Sequence, residues 1–273
     1  RGCARLLRSL VRTPLALACR GAATRVIVQN DADFEVFERL LFVAPERLRL
    51  IPGSGVDLDV FRPIPEPAAP PVVAVCASRM LWDKGIGELV EAARRLHRKG
   101  ILLRVRLVGG TDANPRSIPE DRLDAWAAEG VVEVAGRSED VAGEYARAHL
   151  AVLPTYYGEG VPKALLEAAA CARPMVTTDS PGCCDVCRHG ETGLLVPPRD
   201  PAALAAALAR LAGDAELRQR LGRNARALAQ ARFSDRLVAS RTLELYARVL
   251  DPVLANECRA GRCSTRSQRQ GSR

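Results

Sequence analysis

Residues 72–110 read VVAVCASRMLWDKGIGELVEAARRLHRKGILLRVRLVGG. Val72–Ala77 is a continuous apolar run, the pattern of a strand buried on both faces. Ile86–Lys99 follows as a helix that Gly100 ends, because glycine takes the left-handed conformation that helix C-termini favour. Leu103–Val108 is a second strand, stopped by Gly109-Gly110. Strand, helix and strand in this order form a βαβ unit, which sets the two strands parallel in one sheet.

Downstream the alternation continues. A short helix near 120–128 precedes strand Val131–Ala135, helix 139–148 and strand Leu150–Leu153. Helix 162–172, strand Met175–Thr178, a Gly-rich loop and strand Leu194–Val196 come next, and helices over 201–212, 214–231 and 235–250 close the body. The pattern predicts an α/β fold with a doubly wound parallel sheet over roughly 66–235. Upstream, Val26–Val28 reads as a short strand followed by a helix from about Asp33 to Leu41. Arg49–Val60 (RLIPGSGVDLDV) has the composition of a connector, and Pro63, Pro65, Pro67, Pro70 and Pro71 stiffen the next segment. A boundary near 65 results: 1–65 holds the end of another domain plus the connector, 66–250 is a whole domain, and 251–273 is a disordered basic tail.

The 273 residues are 48% hydrophobic and 26% charged, which excludes a disordered, collagen-like or disulfide-scaffold protein. The net charge of +8 lies at the ends. Residues 1–25 hold six Arg and no acid, 252–273 hold five Arg and one Glu, and Val26–Asp251 is left at −2. A nucleic-acid binder needs its basic residues on the folded body, so that class is set aside.

Leu6, Leu7, Leu10 and Val11 recur at helical spacing opposite Arg5, Arg8 and Arg12. Three readings stay open for this segment: a surface helix, a peripheral membrane contact, or a targeting peptide. No run of about 18 apolar residues exists to span a bilayer. The nine cysteines include Cys76 and Cys171 inside apolar runs, where a reduced thiol and a cytoplasmic setting are expected. Cys184-Asp-Val-Cys187 with His189 lacks a second ligand pair, so no metal is expected. Cys183, Cys184 and Cys187 are given no role.

In doubly wound sheets ligands bind beyond the carboxyl ends of the strands. The loop after the first strand carries Arg79, with Lys84 at the start of the next helix; two cations there suit a phosphate, and ordinary surface charge is the competing reading. The loop after Leu150–Leu153 reads PTYYGEGVPK (154–163). Gly158 and Gly160 leave backbone amides open to a ligand, Pro162 suits a first helical turn, and Glu159 precedes that helix. Glu167 interrupts a Leu/Ala run that should be buried, and a buried carboxylate is costly without a partner. Either it pairs with Lys163 one turn earlier or it accepts hydrogen bonds from a ligand diol.

Residues 158–208, from GEGVPKALLEAAACARP through DSPGCCDVCRHGETGLLVPPRDPAALAAAL, resemble the C-terminal half of retaining GT-B glycosyltransferases (glycosyltransferase family 4, glycosyl transferases group 1), especially bacterial enzymes of lipid-linked and surface polysaccharide assembly. Glu159 and Glu167 match the family's E-x7-E pattern, and Arg79 and Lys84 its Arg and Lys after the first strand. VIVQNDAD (26–33) and LIPGSGVDLDVF (50–61) are similar to its passage from first to second domain. The resemblance implies a Rossmann-like nucleotide-sugar domain, with most of the N-terminal acceptor domain missing from the chain. It implies that Arg79 and Lys84 hold the diphosphate, that Glu159 with the amides of Gly160 and Val161 beside Pro162 meets the sugar, that Glu167 binds the ribose diol and that Arg137 contacts the base. Catalytic roles then fall to Glu159, Arg79 and Lys84.

The implied reaction moves a sugar from a nucleotide diphosphate sugar, UDP-linked by the same resemblance, to an acceptor hydroxyl with retention. The implied acceptor is a glycan or lipid-linked saccharide, and the implied setting of the protein is the cytoplasm, with the inner face of the membrane as one place in it. No cofactor or metal is implied. A truncated, non-catalytic nucleotide-sugar-binding domain is the alternative. Asp31-Ala-Asp33 and Asp57-Leu-Asp59 lie outside the sheet and do not support a metal-dependent transferase of the other major fold. His97, His149 and His189 read as ordinary structural or surface residues.

Overall fold

The computed structural model describes residues 11–19, 21, 24–40 and 43–259. Leu6, Leu7, Leu10, Arg5 and Arg8 of the predicted amphipathic helix lie outside them, as do residues 260–273 of the basic tail. Residues 11–18 form α1, on which Val11 and Arg12 are exposed. β1 (Val26–Val28), α2 (Asp31–Glu35), a π-helical turn (Val36–Leu40) and β2 (Leu48–Leu50) follow. β1 and β2 pair in parallel as a separate two-stranded sheet, with its own small core of Cys19, Val43 and Leu48. β2 corrects the reading of Arg49–Val60 as connector throughout: the alternation Leu48-Arg-Leu50 is a half-buried strand too short to stand out from the Pro/Gly residues after it.

The large sheet comprises β3 (Val72–Ala77), β4 (Leu103–Val108), β5 (Val132–Gly136), β6 (Leu150–Leu153), β7 (Met175–Thr178) and β8 (Gly193–Val196). All pairings are parallel, in the order β5-β4-β3-β6-β7-β8. Helices α3 (Ile86–Arg98), α4 (Glu120–Ala128), α5 (Val141–Ala146), α6 (Lys163–Ala170), α7 (Cys183–Val186), α8 (Pro201–Gly213), α9 (Ala215–Arg232) and α10 (Asp235–Arg259) join and flank them. The chain order reverses between β3 and β6, and such a switch point opens a crevice at the carboxyl end of the sheet.

Element bounds match the expected ones within two residues over most of the domain. Two departures are physical. α7 is a four-residue turn in the stretch read as loop, started by Gly182 in a conformation that favours glycine (φ 80°). α10 continues to Arg259, so the first part of the expected disordered tail is helical.

The connector is fastened rather than loose. Arg226 donates to the Phe61 and Ala170 carbonyls, buried Arg173 reaches the Pro65 and Tyr145 carbonyls, and Arg218, 4% exposed, pairs with Glu66 at 2.9 Å. His149 completes the clamp. Its Nδ1 accepts from the Val73 N–H at 3.0 Å, which leaves Nε2–H to donate to the Pro67 carbonyl at 3.1 Å. This arrangement requires a neutral ring, and burial holds its pKa below the ordinary histidine value. Since the unfolded chain then binds the proton more readily, the contribution of His149 is present above about pH 6.5 and is lost as pH falls from there. Thermal melts should show His149→Gln losing less stability than wild type between pH 7 and pH 5; parallel pH profiles would reject the neutral clamp.

Candidate active site at the carboxyl ends of the strands

The two loops at the switch point are locked together. Thr155 Oγ1 and the Tyr156 N–H both donate to the Asp83 carbonyl, at 3.1 Å each. Gly85 (φ 72°) lies so near the Pro154 carbonyl that a side chain there would collide with it. Arg116 grips the Asp83 carboxylate at 2.7 Å, which holds that carboxyl below its usual range. The turn between β3 and α3 therefore presents Lys84 at a set place.

Lys84 Nζ lies 2.6 Å from Glu159 Oε1, and each side chain is only 16% exposed. A pair this close and this dry is strong only while both members stay. Arg79 comes from the same turn but faces outward, 61% exposed, with Asp112 at 3.1 Å. Arg137, after β5, donates to the Thr111 carbonyl at 3.1 Å.

Arg79, Arg137, Lys163 and Glu167 line one cleft of about 550 Å³, floored by Ser78 and Gly109. Arg137 also borders an adjoining hollow of about 500 Å³ that contains Thr111, Glu120 and Asp124. A smaller cavity, about 290 Å³, opens beside Pro71, His97, Arg104 and Val132, at the opposite edge where β3 to β5 begin. Ligands of such sheets bind at the carboxyl edge, so the larger cleft is the candidate site.

Glu167 sits at its back, with the side chain 12% exposed. Burial raises its pKa to about 7, and Lys163 offsets this only partly at 3.9 Å. No side-chain or backbone donor among the described residues reaches the carboxylate. The nearby Tyr145 hydroxyl is turned away, donating to the Ala164 carbonyl at 2.7 Å. The Lys163 pairing weighed from sequence is thus present but long, and Glu167 keeps its acceptor capacity for something in the cleft.

The structure brings Arg79, Arg137 and Glu167 into one cleft and sets Lys84 and Glu159 as a pair in the adjoining loops. Gly160, Val161 and Pro162 lead into α6, with Pro162 just before the first helical residue rather than inside the first turn. Two site residues escaped the sequence reading. Asp112 was hidden in a loop with no pattern, and Asn30, which the structure shows capping α2, was given no role. Among the Asp-x-Asp aspartates, Asp33 meets Asn30, Asp57 accepts from the N–H groups of Asp59 and Val60, and Asp59 pairs with Arg236.

His189 Nδ1 accepts from the Leu195 N–H. Among the described residues no cluster of His, Cys, Asp and Glu could hold a metal, and no helix is long and apolar enough to cross a membrane. Cys183 and Cys187 are fully buried, and burial pushes the thiols of Cys183 and Cys184 up to about 11 and about 12, which makes them poor nucleophiles at neutral pH.

The family model described as Glycosyl transferases group 1 matches residues 71–214. The chain belongs to that family. Its relatives include the N,N'-diacetylbacillosaminyl-diphospho-undecaprenol alpha-1,3-N-acetylgalactosaminyltransferase of Campylobacter jejuni, 29% identical over 92% of this chain and 67% of the relative. A D-inositol 3-phosphate glycosyltransferase of Saccharomonospora viridis is 32% identical over 82% of this chain and 55% of its own length. Among solved structures, the sucrose-phosphate synthase of Thermosynechococcus elongatus superposes with a TM-score of 0.75 at 28% identity, covering 88% of this chain and 62% of that one. The Anabaena HepE structure in complex with UDP and glucose gives 0.72 at 20% identity, over 88% and 67%. The fold of this group 1 domain is that of the C-terminal half of GT-B glycosyltransferases, and the chain spans about half to two thirds of the length of these relatives.

Proposed function

We propose that the chain is the donor-binding part of a glycosyltransferase of polysaccharide or glycan assembly, taking a UDP-linked N-acetylhexosamine. Residues 66–250 form the donor domain, and 1–65 carry the end of an acceptor-binding domain with its connector. The observation that carries this reading is Glu167, a buried carboxylate with no hydrogen-bond donor among the described residues, which opens on the cleft containing Arg79 and Arg137. A ribose diol supplies the two donors it lacks. From there the diphosphate extends toward Arg79 and Lys84, and the sugar toward Glu159.

In the reaction the bond between sugar C1 and the diphosphate oxygen breaks, C1 bonds to the oxygen of an acceptor hydroxyl on the same face, with retention, and that hydroxyl's proton passes to the departing diphosphate. Negative charge grows on the departing diphosphate. Arg79, Lys84 and the amides before α6 oppose it from fixed positions, the usual largest electrostatic contribution to such a step. Lys84 also neutralises Glu159, so that this carboxylate can accept from a sugar hydroxyl without being expelled toward water. The acceptor is a glycan or lipid-linked saccharide, in keeping with the activity for which the C. jejuni relative is named.

Calorimetric titration of the chain with UDP-, GDP- and ADP-sugars tests the reading. Saturable binding of UDP-N-acetylhexosamine in preference to the other two is expected. Equal binding of all three would remove the base choice, and binding of none would overturn the donor domain itself.

A further inference from the structure

Asn30 lies between β1 and α2 and is 1% exposed. Its Oδ1 accepts from the Asp33 N–H at 2.7 Å, capping α2 and fixing which end of the amide is oxygen. Its Nδ2 donates to the Gly160 carbonyl at 3.0 Å and the Glu159 carbonyl at 3.1 Å, and shares a hydrogen with Asp33 Oδ2 at 2.9 Å. A side chain from the small N-terminal sheet region thus holds two successive carbonyls of the loop before α6.

Those carbonyls belong to the peptide groups that carry the N–H of Gly160 and of Val161. In a planar trans peptide the C=O and N–H point in opposite directions. Drawing both carbonyls toward Asn30 turns both N–H groups the other way. Neither N–H has an acceptor among the described residues. Gly182 (φ 80°) closes against the same two carbonyls, where any side chain would collide with them. Lys84 and Glu159 lie at the same loop.

We infer that Asn30 is a positioning residue: it aims the Gly160 and Val161 amides, as a pair, at the distal phosphate and sugar oxygens of the donor. The inference rests on the donor-site reading of the cleft. It makes the donor loop depend on a residue outside the donor domain, so a donor domain cut at residue 65 would keep the cations and Glu167 yet lose the aimed amides.

The test uses the full 273-residue chain with Asn30→Ser and Asn30→Asp. Both replacements keep a good cap for α2, and neither can donate as the Nδ2 group does. Calorimetry should show UDP affinity falling about tenfold or more in each, the scale of one charge-assisted hydrogen bond, with UMP affinity little changed because the nucleoside and first phosphate lie elsewhere. Amide resonances of Gly160 and Val161 should respond to UDP in wild type and lose that response in Asn30→Ser. Wild-type UDP binding with unchanged affinity and unchanged responses in both variants overturns the positioning role alone. Equal losses for UDP and UMP would also overturn it, marking a general structural effect. No UDP binding by wild type overturns the donor-site reading and this role with it.

Discussion

Arg79→Ala combined with Lys84→Ala should abolish measurable diphosphate binding. Each cation offers charge-assisted hydrogen bonds worth about 1.5–3 kcal/mol, so removing both costs roughly 10²–10⁴ in UDP affinity. The two contributions differ in kind. Arg79 is exposed and paired with Asp112, so Arg79→Ala should weaken binding with little effect on folding. Lys84→Ala leaves the Glu159 carboxylate buried and unpaired and should destabilise the fold by a few kcal/mol. Adding Glu159→Ala to Lys84→Ala should restore much of that stability without restoring binding. Retained UDP affinity in the Arg79/Lys84 double variant would refute the phosphate assignment.

Glu167→Ala should lower UDP affinity about a hundredfold, because a diol bound to a carboxylate loses both its hydrogen bonds. Substrate editing gives an independent check. UDP with a 2′-deoxyribose should bind wild type much more weakly than UDP, whereas Glu167→Ala should scarcely tell the two apart. The same carboxylate works against folding. Its folded pKa of about 7 is above the ordinary glutamate value, so the native state binds the extra proton. The stabilising contribution of the proton is complete at low pH and is lost as pH rises through about 7. Glu167→Gln should therefore melt higher than wild type at pH 8, by several degrees, and the gap should close toward about pH 4.5. A residue that costs stability and supports binding marks a functional site. Unchanged affinity in Glu167→Ala would remove the ribose role.

Much of this was legible in the amino-acid order alone. The apolar runs at Val72–Ala77 and Leu150–Leu153 and the glycines after Leu103–Val108 implied parallel strands, and the carboxyl-edge rule then pointed at Arg79, Lys84, Glu159 and Glu167. Glu167 stood out because a charge inside a Leu/Ala helix violates the burial pattern. The features that escaped have a common cause: they depend on pairing across long separations. Leu48–Leu50 is a strand only because Val26–Val28 lies beside it. Asn30 drew no reading of its own, because its contacts with the carbonyls 129 and 130 residues away leave no local trace. The same holds for the Pro-rich connector, whose stiffness was readable but whose fastening by Arg173, Arg218 and His149 was not.

If a nucleotide diphosphate binds where β3 and β6 diverge, amide hydrogen exchange of the chain with and without saturating UDP should locate it there. Protection should fall on residues 78–85, 109–112, 136–138 and 159–167. Protection gathered instead around Pro71, His97 and Arg104, at the opposite edge of the sheet, would contradict it.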